Sequence, residues 1–571
     1  MKSRLSRWCG CSLALTLLLF AQAIISPQAA AQGGEPQYFA IRGAKVLPVS
    51  GPAMEDATVI VARGVILAVG GKDVPIPADA LVIDGKGLTV YPGLFDALTD
   101  VGIPPASPAP SEGGGSRGGG AGGGQPPSRG PEDRPGATPW RTAADEASLS
   151  DKRIESWRNA GFTTVVSAPK GGFFPGQAAV LDLGGERNGD LVVKSPVALP
   201  LHLNPAGGFG SGFPDSKMGV LGYVHQVWLD VDWSTKAEAT YEKNPRGTAR
   251  PRYDRVNSAL ADALEDHPIV LIPANSSLEL RRAFVLTDRW KFPESKISAA
   301  IVGAQMAYEI PDELAAKKLP VIVSLKWPEP EKDADPDRVP SLRELRFRDR
   351  APSSPAALAK AGVKFAFSSD GITSPAEILK AVKKSVDAGL APDAAIRALT
   401  LAPAEIFGVA DRTGSVEKGK IANLVVTDGD LFGEKTKIKM IFVDGKRFEI
   451  REPDRPKDPP KSDLTGKWTL KYTTPEGDEE STVELTMSSD GTLSGTVASH
   501  RGTANIISGY ASADKFNFVT NMVIEGSPAD VNFSGTFEKN TMKGTIAVLS
   551  YSIDFTGTRP GAASVSMGGT Q

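Results

Sequence analysis

The sequence predicts an α/β chain: a (β/α)8 TIM-like barrel clasped by a small composite β-sandwich, with an all-β barrel or sandwich domain behind it. Three observations lead there. Apolar, β-branched runs cluster at both ends of a long central region. Within that region short apolar strands alternate with amphipathic helical stretches. From Asp463 the pattern changes to strict two-residue alternation.

The chain has 571 residues and a formal charge of -3. That balance argues against an extended polyanion-binding surface, so nucleic acid is not expected as a partner. Residues 1–32 read as a Sec-type signal peptide. Lys2, Arg4 and Arg7 precede the apolar run Leu13 to Ile25, and Gln28-Ala29-Ala30-Ala31-Gln32 supplies small residues for cleavage. The expectation is a bacterial periplasmic or secreted protein, with no further membrane span. Both cysteines, Cys9 and Cys11, lie in that segment, so the mature chain would hold neither a disulfide nor a thiolate metal site.

Residues 33–92 read as the first part of the composite sandwich. Tyr38 to Ile41, Thr58 to Val61, Val65 to Val69 and Leu81 to Ile83 are its strand runs, punctuated by Gly, Pro and Asp. Residues 406–450 supply the second part through Asn423 to Thr427 and Lys437 to Val443. Residues 93–405 form the barrel. Its strand runs include Thr163 to Val166, Ile269 to Ile272, Ile297 to Val302, Val321 to Val323 and Phe365 to Phe367. Leu278 to Leu286, Asp312 to Lys317 and Ser374 to Ala388 read as helices, and alternation of this kind predicts parallel strands with crossover helices. Residues 105–139, rich in Gly, Pro and Ser, interrupt the first strand-to-helix loop. They read either as a disordered lid or as a tolerated insertion. Residues 451–461 form a Pro- and charge-rich linker. Residues 462–560 form the all-β domain, where Gly-Thr steps recur at Gly495, Gly535, Gly544 and Gly557, and 561–571 form a tail.

Several segments carry a resemblance. Tyr91-Pro92-Gly93-Leu94-Phe95-Asp96-Ala97-Leu98-Thr99-Asp100 is one, and Gly161 to Val166 is another. Ser368-Ser369-Asp370 closes the last barrel strand. Ala398 to Ala404 and Gly414 to Leu424 complete the set. From about residue 38 to 450 the chain resembles the amidohydrolase superfamily, in its imidazolonepropionase- and dihydroorotase-like branch. There the first segment runs P-G-L-I-D-x-H-x-H. The resemblance implies a hydrolase acting on carbon–nitrogen, non-peptide bonds. It also implies a divalent metal, zinc or manganese, that activates water.

The ligand positions depart from that pattern. Leu98 and Asp100 stand where the family has two histidines. Pro273-Ala274-Asn275 stands where an imidazole is expected after the fifth strand, and Ile301-Val302-Gly303-Ala304 stands where the family often has I-x-H-G around the sixth. Asp370 matches the last-strand aspartate, as catalytic base or metal ligand; structurally, an aspartate there also caps turns. The candidate metal set is Asp100, Asp370 and His202. Of the other histidines, His225 falls in a helical stretch from Ser216 to Trp233, His267 at a turn, and His500 in the β domain. Two readings follow: a hydrolase with a rebuilt metal site, or a metal-free, catalytically inactive amidohydrolase-like pseudoenzyme. The partner would be a small-molecule substrate or ligand, with homo-oligomerisation or pairing with an intact related chain also open. A minor third reading gives the β domain a surface-binding role.

Overall fold

The computed structural model describes residues 38–104, 134, 136–204, 214, 216–265, 268–290, 298–330, 338–450, 458–474, 477–488, 491–499, 502–524, 527–548 and 551–559. The expected signal peptide, most of the Gly-rich insertion, His267, His500, residues 451–457 and the tail lie outside them. The chain divides into two compact units, Met1–Ile450 and Arg451–Gln571.

In the first unit five strands come first: β1 (Tyr38–Val46), β2 (Met54–Ala62), β3 (Val65–Gly70), β4 (Leu81–Asp84) and β5 (Thr89–Pro92). Eight barrel strands follow: β6 (Leu94–Thr99), β7 (Phe162–Ser167), β8 (Ala178–Asp182), β9 (Val192–Pro200), β10 (Ile269–Ala274), β11 (Ser298–Gly303), β12 (Val321–Ser324) and β13 (Phe365–Ser368). Then β14 (Leu424–Thr427), β15 (Ile438–Val443) and β16 (Lys446–Glu449) rejoin the first set. The resulting sheet runs β16-β15-β14-β5-β1-β2-β3, with β4 on β1, so both ends of the region build one sheet. It folds over its own core of Ile41, Val59, Val61, Ile66, Val90, Leu424, Val426 and Phe442. The edge beside β3 is tied back, since Ile66 N–H donates to the Lys420 carbonyl at 2.9 Å and Ala422 N–H to that of Gly64 at 2.8 Å.

The barrel runs in order from β6 to β13, and β13 returns beside β6. Its strands are parallel except for one. β8 pairs antiparallel with both β7 and β9. This corrects the expectation of uniformly parallel strands joined by helices. β7 reaches β8 through residues 168–177, and β8 reaches β9 through the single 3-10 turn Asn188–Leu191. All five β8 residues are buried, so the apolar run carries no mark of its direction. The helices follow the 3.6-residue period where they pack. Pro375–Asp387 buries Ile378, Ala381, Val382 and Ser385. Helix Lys217–Lys243 runs ten residues past the expected end at Trp233. Its last turns are mostly exposed and polar, so no apolar stripe marks them; a Lys236–Asp232 pair spans one turn at 2.8 Å.

The second unit is a closed antiparallel barrel of β17 (Gly466–Thr474), β18 (Gly477–Met487), β19 (Leu493–Ser499), β20 (Gly502–Ser512), β21 (Lys515–Ile524), β22 (Ser527–Glu538), β23 (Thr541–Val548) and β24 (Tyr551–Thr558). Trp468, Leu470, Phe516, Phe518, Phe533 and Phe555 fill it. Arg559 lies 4.8 Å over the Trp468 ring and donates to the Thr465 carbonyl at 2.7 Å. Two of the recurring glycines, Gly535 and Gly544, pair across strands. A Cβ on Gly535 would meet the Lys543 carbonyl oxygen at 2.1 Å, so backbone approach requires glycine there.

Barrel and first sheet meet at a buried polar knot. Asp182 is fully buried, and its Oδ1 accepts from Thr164 Oγ1 at 2.8 Å and from Asn423 Nδ2 at 2.9 Å. Asn423 Nδ2 also donates to Thr164 Oγ1 at 3.1 Å, and its Oδ1 accepts from Asp444 N–H at 2.8 Å. Burial pushes the Asp182 pKa up to about 6, against the pull of those two donors. Asn423→Asp removes a donor and sets a second carboxylate against Asp182. The variant should lose about 3 kcal/mol of stability at pH 7 and recover much of it at pH 5. Urea melts at the two pH values measure this; equal losses at both would show the knot is not electrostatic.

Candidate functional site

The parallel strands deliver their C-terminal ends to one mouth. Asp100 follows β6, His202 follows β9, Asn275 follows β10, Ala304 and Gln305 follow β11, Ser324 ends β12, and Ser369 and Asp370 follow β13. In barrels of this kind that face carries the chemistry.

Asp100 is held by two cations. Arg153, at the start of the helix Arg153–Asn159, donates from Nη1 to Oδ1 at 2.9 Å, and Lys170 Nζ lies 2.6 Å from Oδ2. Arg153 also spans Asp151 and the carbonyls of Asp100 and Ile103. Burial alone would raise the Asp100 pKa. The Lys170 hydrogen bond and the Arg153 charge outweigh it and hold the carboxyl below its ordinary value.

His202 is mostly buried, and its Nδ1 lies 3.0 Å from the Gly172 carbonyl. A carbonyl only accepts, so Nδ1 carries the proton. Burial, reinforced by the Lys170 charge, pushes the His202 pKa down, and the Gly172 bond opposes this. At neutral pH the ring is neutral, with Nε2 as its lone-pair nitrogen.

Asp370 is exposed and lies in the left-handed backbone region at φ 47°. Non-glycine residues rarely adopt this, although aspartate tolerates it better than most. The buried Ser324 hydroxyl donates to Asp370 Oδ2 at 2.7 Å. That hydroxyl in turn accepts from Lys326 N–H at 3.2 Å and from Gln305 Nε2 at 3.5 Å. Gln305, Ser324 and Asp370 therefore form a short polar chain leading to one exposed carboxylate.

The remaining ligand positions hold no free donor pair. Leu98 packs against the barrel's apolar interior, and Gly303, at the imidazole position of I-x-H-G, has no side chain. Asn275 turns onto Gly303, where a Cβ would meet its Oδ1 at 2.1 Å. His225 sits within the helix Lys217–Lys243. Among the described residues, no three His, Cys, Asp or Glu side chains come together as a metal-holding group. Asp100, His202 and Asp370 share the mouth without gathering into one.

The sequence reading missed Asp96. It is fully buried, and its Oδ1 accepts from Ser369 N–H at 3.0 Å and more loosely from Leu98 N–H. It thereby anchors the residue just before Asp370. Its Oδ2 has no hydrogen-bond partner, although the Ser369 hydroxyl and the Trp157 indole face the carboxyl closely enough to favour its charged form. Burial wins, and the pKa is pushed up to about 6. The signals in the sequence were a carboxylate inside a mostly apolar strand and its match to the aspartate of P-G-L-I-D. A carboxyl whose folded pKa exceeds its unfolded one stabilises at low pH, and that stability is lost as pH rises from about 4 through about 6. Asp96→Asn should flatten this part of the profile and be more stable than wild type at pH 7 by up to about 3 kcal/mol. Denaturant melts from pH 4 to 7 test it; an unchanged slope would mean Asp96 is charged in the folded protein throughout.

Residues 292–451 match the amidohydrolase family. An amidohydrolase structure from Thermotoga maritima MSB8 is similar at 24% identity and TM-score 0.56, covering 72% of this chain and all of that one. A Xaa-Pro dipeptidase with bound methionine matches at 16% identity and TM-score 0.45 over 72% of this chain and all of that one. An adenosine deaminase from Xanthomonas campestris with bound zinc matches at 15% and 0.39 over 73% and 94%. No curated protein sequence matches the chain. The chain thus has the sheet-and-barrel fold of the Thermotoga maritima amidohydrolase, and its residues 292–451 match the amidohydrolase family.

Proposed function

We propose that this chain is an exported amidohydrolase-fold protein that binds a small molecule at its barrel mouth, with an ion-pair network in place of the family's metal-activated water. The observation that carries the reading is Asp100 with both oxygens engaged, one by Arg153 and the other by Lys170. A divalent ion there would have to displace an ammonium from Oδ2 and sit beside a guanidinium. Leu98 offers no donor, and Asn275 faces Gly303, which has no side chain to offer. Against the imidazole and carboxylate set that holds zinc or manganese, these donors do not fit. Export rests on Lys2, Arg4 and Arg7 ahead of the apolar run Leu13 to Ile25. No helix among the described residues is long and apolar enough to cross a membrane.

One observation favours a second reading, hydrolysis of a carbon–nitrogen bond. Asp370 presents an exposed carboxylate whose orientation is fixed by Ser324, a geometry suited to taking a proton from water. Under this reading Asp370→Asn abolishes turnover of some amide or cyclic amide while Asp100→Asn does not.

Metal content separates the two mechanisms. Mature protein dialysed against zinc or manganese, then freed of excess ion, should retain far less than one ion per chain by elemental analysis. One tightly held ion per chain, lost in Asp370→Ala, would overturn the metal-free reading.

A further inference from the structure

A groove at the same end of the barrel is lined with arginine. It has a volume of about 720 Å³ and is walled by Ser276 and Leu278 after β10, by Met306, Tyr308 and Glu309 after β11, and by the helix Leu342–Arg350. Ligand sites commonly fall in this size range. Arg343, Arg346 and Arg350 all line it. Their spacing of three and four residues puts them on one helix face, where like charges repel. None of the three makes an ion pair or a side-chain hydrogen bond among the described residues, whereas Arg134, Arg141, Arg153 and Arg281 all do. Glu344, on the same helix, is engaged with Arg338 and with the Ser341 backbone. Glu309 is the one carboxylate in the lining, so positive charge prevails there.

We propose that this groove binds small organic anions carrying two or more carboxylate or phosphate oxygens on an apolar body. The inference deepens the ligand-binding reading and rests on it for the mouth as the place of entry. Guanidinium forks pair with carboxylate or phosphate through two parallel hydrogen bonds, and three on one face suit a doubly charged group. Tyr308, Met306, Leu278 and Leu342 offer apolar contact, and Leu278 and Leu342 are each more than half exposed. The groove also adjoins the polar chain at the mouth. Met306 follows Gln305 directly, and Ser354 joins the two segments, its hydroxyl donating to the Gln305 carbonyl at 2.8 Å and accepting from Tyr308 N–H at 3.2 Å. An anion held by the arginines could thus extend its apolar body toward Ser324 and Asp370.

The test is calorimetric titration of the mature protein with benzene-1,2-dicarboxylate and with phenyl phosphate, against neutral benzamide. The expected result is saturable binding of one or both anions, weakened by added salt, and no binding of benzamide. The Arg343→Gln/Arg346→Gln double variant should weaken it about ten-fold or more. Arg346→Lys, which keeps the charge and loses the fork, should fall between. These side chains are exposed and, among the described residues, without an ion pair, so the variants should melt like wild type, which circular dichroism checks. Anions binding no better than benzamide, or equally well to the double variant, would overturn the proposal. Metal content of the same samples is read separately: a retained ion would refute the metal-free reading, and anion binding would still be judged on the arginine variants.

Discussion

The larger unit depends on one close approach, where the chain leaves the first sheet and enters the barrel. At Gly93 a Cβ would lie 2.0 Å from Thr163 Oγ1, so no other residue fits without moving a strand. Gly93 N–H donates to the Asn423 carbonyl at 2.7 Å, and the Asn423 side chain reaches Thr164 and Asp182. Four segments far apart in sequence thus share one knot: Pro92-Gly93, Thr163-Thr164, Asp182 and Asn423. Every polar group in it is buried, so each must find its partner within the protein or lose roughly the desolvation energy of that group.

This knot gives the segments that carry the resemblance a structural role. The Pro-Gly step, the Thr-Thr strand and the Asn423 segment are where sheet and barrel are fastened together. Asp96, in the same first segment, fixes Ser369 rather than any ligand. The likeness therefore lies largely in the scaffold and in how the last strand's end is held. A barrel can keep such fastenings whatever its mouth does, which is why fold alone does not assign function.

Much of the fold was legible because burial writes itself into periodicity. Alternation in the sheets and the 3.6-residue stripe of Pro375–Asp387 are examples. The reversed direction of β8 was not, since a fully buried run reads alike both ways. Of the candidate site, Asp370 was visible as the residue closing β13, whereas its Ser324 partner lies 46 residues earlier, a separation no local pattern reveals. The arginine face was hidden differently. A formal charge of -3 averages over the chain, and the helix Leu342–Arg350 concentrates positive charge against that mean.

The electrostatics of the mouth follow from these arrangements. A metal ion in such a barrel neutralises carboxylates that burial would otherwise push toward protonation. Arg153 and Lys170 hold the Asp100 pKa low, and on the proposed reading they take that task over. Such a replacement would be chemically unequal. A guanidinium and an ammonium neutralise charge and orient it, but neither brings the open coordination position from which a divalent ion activates water. A neutral His202 and an exposed Asp370 remain to bind or move a proton. On the proposed reading, a mouth neutralised by its own cations gains a permanent field that favours anionic ligands, and the exposed arginines of the neighbouring groove extend that field in the same sense.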